Sequence, residues 1–305
     1  MKLALKIDVD TLRGTREGVP RLVELLRRHQ AGATFLFSLG PDHTGRAIRR
    51  ALRPGFMRKV SRTSVASHYG LKTLLYGTLL PGPDIGRRCA ETMREVRDAG
   101  FEVGIHCYDH VRWQDYVASR DAQWTADEMG KAFERFEAIF GVRPRTHGAA
   151  GWQINIHALR LEQRLGFAYC SDTRGSAPFI PVRNAEAILC PQLPTTLPTL
   201  DELIGRDGFT EQNVAQHLLA LSEEGGAQGH VYTLHAELEG MKLAPVLEAL
   251  LAGWRQRGFE LVSLEDYFRA LDAAALPYHE VVMGEVPGRA GLLALQGPPF
   301  LDEAG

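Results

Sequence analysis

The chain is short of cysteine and has no long apolar run, and both shortages exclude whole classes of protein. Its four cysteines, Cys89, Cys107, Cys170 and Cys190, lie far apart without a Cys-x-x-Cys pair, which suits reduced thiols in a cytoplasmic protein better than a disulfide framework. No uninterrupted apolar stretch is long enough to span a bilayer. A signal-peptide form is missing too, because Met1-Lys2 leads into a short apolar run that is broken by Lys6 and ended by acids. Neither sign of charge dominates: 35 Lys and Arg against 37 Asp and Glu leave a formal net charge of -2, which argues against a nucleic-acid binder. The sequence also lacks an internal repeat, a Gly-x-Gly-x-x-Gly turn after a strand, a Walker-type phosphate loop and a Gly-x-Ser-x-Gly elbow.

What is there reads as an ordinary globular α/β protein. With 305 residues, 45% hydrophobic and 24% charged, the chain can bury one large core, and a single α/β barrel uses this much sequence. Leu3 to Ile7 and Ala33 to Leu39 have buried-strand patterns, and the apolar positions Val19, Leu22, Val23, Leu25 and Leu26 between them have helical spacing. Strand, helix, strand in that order predicts a parallel β-α-β unit. Further helices are expected over 85–99, 127–140, 154–165, 214–221, 247–257 and 264–271. Strands are expected at 101–106, 166–172, 230–235 and 259–263. This places the barrel in 1–272, interrupted by an insertion at about 42–88, with a tail at 273–305 that packs over the body or frays. Arg49, Arg50, Arg58 and Lys59 of the insertion are interleaved with apolar residues; they form either a solvated helix surface or a face drawn to anionic lipid headgroups.

Four apolar runs end on ionisable residues: Asp8/Asp10, His106/His110, Asp172 and His235. In a parallel barrel every strand's C-terminal end opens on one face, so these residues are expected to meet. Two histidines and a carboxylate make a three-ligand metal site with open positions, which acidifies bound water and polarises a carbonyl. A second carboxylate can then serve as general base, and a third histidine, kept protonated by an acid, can protonate a leaving amine. That set fits amide hydrolysis and needs no Ser or Cys nucleophile. Glu237, two residues past His235, either assists or is a loop acid. Zinc is the default ion for these ligands, with Mn, Co or Fe as alternatives. Gly148-Ala-Ala-Gly-Trp152 is a small-residue loop that lets backbone approach a ligand.

At these residues the chain resembles the NodB-type polysaccharide deacetylases, whose fold is a distorted (β/α)7 barrel. The resemblance implies that Asp8 is the base, Asp10, His106 and His110 are metal ligands, and Asp172 and His235 belong to the catalytic set. Thr233-Leu-His235 keeps the family's Leu-x-His motif only in part. Arg143-Pro144 keeps little of its third motif, so no base-orienting arginine is transferred. The phrases Arg13-Gly-Thr-Arg-Glu-Gly-Val-Pro-Arg21, Ala149-Ala-Gly-Trp152, Ser171-Asp-Thr-Arg-Gly175, Ile204-Gly-Arg-Asp207 and His235-Ala-Glu-Leu-Glu-Gly240 are similar to the family's deformylase branch. That branch removes the formyl group from 4-deoxy-4-formamido-L-arabinose carried on undecaprenyl phosphate, a step in lipid A modification and polymyxin resistance. The resemblance implies substrate contacts at Arg13, Trp152, Arg174, Arg206 and Glu237, and work at the anionic face of the inner membrane from the cytoplasmic side. Two rivals stand: a deacetylase of another N-acylated sugar, and a silent barrel that binds glycolipid.

Overall fold

The protein is described from a computed structural model covering residues 1–51, 73–224, 226 and 228–300. Its central strand is β1 (Lys2–Val9), buried along nearly its whole length. A parallel strand covered on both faces must be almost continuously apolar. Lys6 and Asp8 break that rule, and at a spacing of two they lie on the same face of β1.

The strands β2 (Thr34–Ser38), β3 (Glu102–Cys107), β4 (Thr146–His147) and β5 (Tyr169–Cys170) follow β1 outward on one side. After the short β6 (Ile180–Arg183) and β7 (Glu186–Ala187), β8 (His230–His235) takes the other side, so the order is β5-β4-β3-β2-β1-β8. The strand β9 (Glu260–Val262) shares an edge of β1 with β2: Lys2 to Ala4 face β9, and Lys6 to Val9 face β2. All of these pairings are parallel. The gap between β5 and β8 is bridged by irregular chain, where Leu193 N–H donates to Cys170 O and Thr196 N–H to Val231 O. A curled parallel sheet wrapped by helices is the barrel architecture expected above.

Leu5, Ile7, Phe35, Phe37, Met93, Phe136, Leu247 and Trp254 fill the space between sheet and helices and are fully buried. Each large apolar side chain so placed contributes about 1.5–3 kcal/mol. Helix Ala122–Phe140 begins five residues earlier than its apolar spacing predicts, because the Asp121 carboxylate accepts from Trp124 N–H and caps it. It ends at Gly141, whose φ of 70° is the left-handed stop.

The tail holds more structure than its composition suggested. Strands β10 (Tyr278–Glu285) and β11 (Leu292–Pro299) form an antiparallel hairpin, and β10 runs parallel to β6, making a second sheet of order β11-β10-β6-β7. Of the expected insertion, Arg49 and Arg50 fall on helix Thr44–Ala51, whereas Arg58 and Lys59 lie outside the described residues. Among the described residues no helix is long and apolar enough to cross a membrane.

Candidate active site

Register puts the first two site residues together. Asp8 and His235 are direct partners across the β1–β8 ladder, at the C-terminal ends of both strands. Both are buried, at 3% and 8% exposure. One step beyond β1, Asp10 Oδ1 lies 3.2 Å from His106 Nε2 and 3.4 Å from His110 Nε2. His106 comes from the end of β3, and its Nδ1 donates to Gly148 O at 2.6 Å, which turns Nε2 toward Asp10. His110 opens helix His110–Tyr116. The helix cap Asp109 sets its place, accepting from Arg112 N–H at 3.1 Å and holding His43 Nδ1 at 2.6 Å.

Two imidazoles and a carboxylate aimed at one point form a donor set that fits a divalent ion. Asp10 Oδ1 is buried and has only the two imidazoles facing it, the other two members of the same donor set. Burial alone would raise the Asp10 pKa, but His110 and His106 hold the carboxyl well below its usual range. A second cluster, His147, Glu162, Cys170 and Asp172, also has metal-ligating atoms in reach of one another. There His147 Nδ1 is already engaged, 2.9 Å from both Glu162 Oε1 and Asp172 Oδ1, while His147 Nε2 and Glu162 Oε2 are buried without a hydrogen-bond partner. Burial also pushes the Cys170 thiol well above its ordinary pKa, away from the thiolate that binds metal.

Asp172 belongs to that inner cluster. Its carboxylate accepts from Ala149 N–H at 2.7 Å and Gln192 Nε2 at 2.7 Å, so it supports the Gly148–Trp152 loop from below. The carboxylates that act on His235 are others. Burial works against its charged form, while Asp201 and Asp10 raise the His235 pKa above its ordinary value. Asp201 sits in the first turn of helix Leu200–Leu203. Glu239 accepts from His235 N–H at 2.9 Å.

Glu237 is used inside the protein and does not face a cleft. It is 1% exposed, and its Oε1 accepts from Asp10 N–H at 3.1 Å and from Thr11 N–H and Oγ1 at 2.8 Å. It therefore braces the loop that carries Asp10. Burial, then the charge of Asp10, raises its pKa to about 8. Gly14 packs so close that a Cβ there would strike the Glu237 carboxylate.

Lys6 carries no signal of function in the sequence beyond being a charge in an apolar strand. It is fully buried, its Nζ donates to Ser171 O at 2.7 Å and lies 3.7 Å from Asp8 Oδ2, and it sits over the Trp152 ring at 5.4 Å. Trp152 is buried at φ 52°, a backbone state that costs a non-glycine residue about 1–2 kcal/mol. Its Nε1 donates to Thr195 Oγ1 at 3.1 Å. Arg174 packs on the same ring at 5.0 Å and bonds Glu202. With Arg206 it lines a cavity of about 240 Å³. Arg13 is paired with Glu17 at 3.1 Å. A larger cavity of about 450 Å³ opens at Met1, Lys2 and Tyr267, the opposite end of β1 from Asp8.

Residues 3–170 match the family model described as polysaccharide deacetylase. The chain is 39% identical over 295 residues to a Shewanella sediminis protein named "Probable 4-deoxy-4-formamido-L-arabinose-phosphoundecaprenol deformylase", covering 97% of this chain and 94% of that one. A Wigglesworthia glossinidia protein with the same name is 31% identical over 284 residues, covering 93% and 98%. A Mycobacterium smegmatis crystal structure assigned to the polysaccharide deacetylases superposes with a TM-score of 0.63 at 17% identity, covering 93% of this chain and 95% of that one.

Proposed function

Because the chain belongs to the polysaccharide deacetylase family, whose members hydrolyse amides, we propose that it is a metal-dependent deformylase. Its substrate in this reading is 4-deoxy-4-formamido-L-arabinose on undecaprenyl phosphate. The names of both curated relatives support that choice, and the reading extends to lipid A modification and polymyxin resistance. The observation that carries the chemistry is the register pairing of Asp8 with His235 beside the convergent Asp10, His106 and His110.

Asp10, His106 and His110 would hold the ion. When bound, it supplies Lewis acidity to the formyl carbonyl and to the attacking water. Asp8 takes a proton from that water as it adds to the formyl carbon, and Lys6 keeps the carboxylate in place during the transfer. His235, whose proton is favoured by the charge of Asp201, gives that proton to the sugar nitrogen as the C–N bond breaks. Formate and a free amine result, and the balance needs only water. With a polyprenyl phosphate carrier, the enzyme works from the cytoplasmic side at the surface of the inner membrane, and the basic residues of the insertion face its anionic lipids. The reading is tested by measuring formate and acetate release from the formamido and acetamido sugars on the same carrier. Formate from the first supports it; acetate alone would assign the chain to another N-acylated sugar.

A further inference from the structure

The C-terminal hairpin reaches into the site from 80 residues or more away in the chain. Between β10 and β11, Arg289 lies over the Trp152 ring at 4.8 Å. Its guanidinium grips Asp201 with both ends: Nη1 is 2.8 Å from Oδ2 and Nη2 is 3.0 Å from Oδ1. Nη2 also donates to Thr199 Oγ1 at 2.9 Å, and Nε to Glu202 Oε1 at 2.7 Å. A planar fork matched to a carboxylate fixes direction as well as distance. The hairpin itself is tied to the same neighbourhood: Arg174 N–H donates to Ala294 O at 2.9 Å, and Gln153 Nε2 donates to Leu292 O at 2.5 Å. Arg289 rests on the Trp152 ring that also carries Lys6, the partner of Asp8, and Asp201, the residue so gripped, is a carboxylate whose charge favours protonated His235.

We infer that Arg289 is a positioning residue that fixes the Asp201 carboxylate on the acid side of the site, so that the C-terminal hairpin is part of the catalytic apparatus. Arg289 acts by holding Asp201, whose charge favours protonated His235, while its own charge works the other way. Resting on Trp152, the guanidinium cannot turn away without losing its stacking surface. The inference rests on the amide-hydrolase reading, and the test separates the two.

Arg289→Ala, Asp201→Asn and the double variant are compared with the parent for formate release. The expected result is a fall in kcat of tenfold or more in each single variant, with KM within about threefold. The double variant falls no further than the worse single one, because both changes remove one placement. Arg289→Lys, which keeps the charge without the fork, recovers only part of the rate and guards against loss of the fold. A second arm needs no activity: a crystal structure of Arg289→Lys shows the Asp201 carboxylate turned from its parent position while the hairpin stays paired to β6. Single losses that multiply, or an unmoved Asp201, overturn the inference. A parent that releases no formate counts against the deformylase reading alone, and the crystallographic arm still decides Arg289.

Discussion

A lysine with no exposed surface is tolerated only where its charge is answered, and Lys6 is answered by Asp8 and Ser171 O. Removing one partner of a buried pair leaves the other uncompensated, at a cost of about 3–5 kcal/mol. Lys6→Met is therefore expected to destabilise the fold by that order, seen as a lower midpoint in urea, and to slow turnover as well. Asp8→Asn keeps the shape but removes both the base and the charge that answers Lys6, so kcat should fall by about 10²–10⁴ with a lower urea midpoint, while the zinc content of the folded protein by atomic emission stays at the parent level. Equal turnover in Asp8→Asn would remove Asp8 from the reaction. At this scale the sequence carried position where a charge stopped an apolar run: Asp8, Asp10, His106 and His235 lie at or just past strand ends, because a strand end has a known direction. Asp201 and Arg289 gave no such signal. Their meaning comes from a contact across 88 positions, which no local pattern carries.

Among the elements, the loop after β1 and the turn after β8 hold each other. Gly18 approaches Ala236 so closely that a Cβ would meet the Ala236 carbonyl oxygen. Gly18→Ala should push apart the chain next to His235 and lower stability by about 1–3 kcal/mol, readable in thermal unfolding. The cluster between β4, β5 and helix Ile156–Leu165 gives a pH dependence. Burial opposes the charge on His147, but Asp172 and Glu162 raise its pKa to about 9; burial and Asp172 raise that of Glu162. Both groups hold protons when folded and release them on unfolding, so the Glu162 contribution declines from above the ordinary carboxyl pKa and the His147 contribution from above the ordinary imidazole pKa, and stability falls as pH rises toward 9. Urea midpoints measured from pH 6.5 to 9.5 should decline, and Glu162→Gln should flatten the decline. A midpoint that rises over this range contradicts the assignment. The longer helices and the parallel strands other than β4 were legible from their periodicity; β4 and the helices His110–Tyr116 and Leu200–Leu203 are too short to carry one. The second sheet was not, because β6, β7 and the hairpin are short or rich in Gly and Pro and become strands only by pairing with each other.

For the whole molecule, the proposed polyprenyl carrier makes the membrane surface the place to test. Vesicle flotation with Arg49, Arg50, Arg58 and Lys59 neutralised should show weaker binding to anionic membranes; unchanged binding would remove the insertion from that role. The account itself depends on one ion held at the open ends of β1 and β3. Anomalous diffraction from crystals grown with zinc locates that ion directly. The predicted peak lies about 2.0–2.2 Å from Asp10, His106 and His110. A peak among His147, Glu162, Cys170 and Asp172, with none at Asp10, would contradict it.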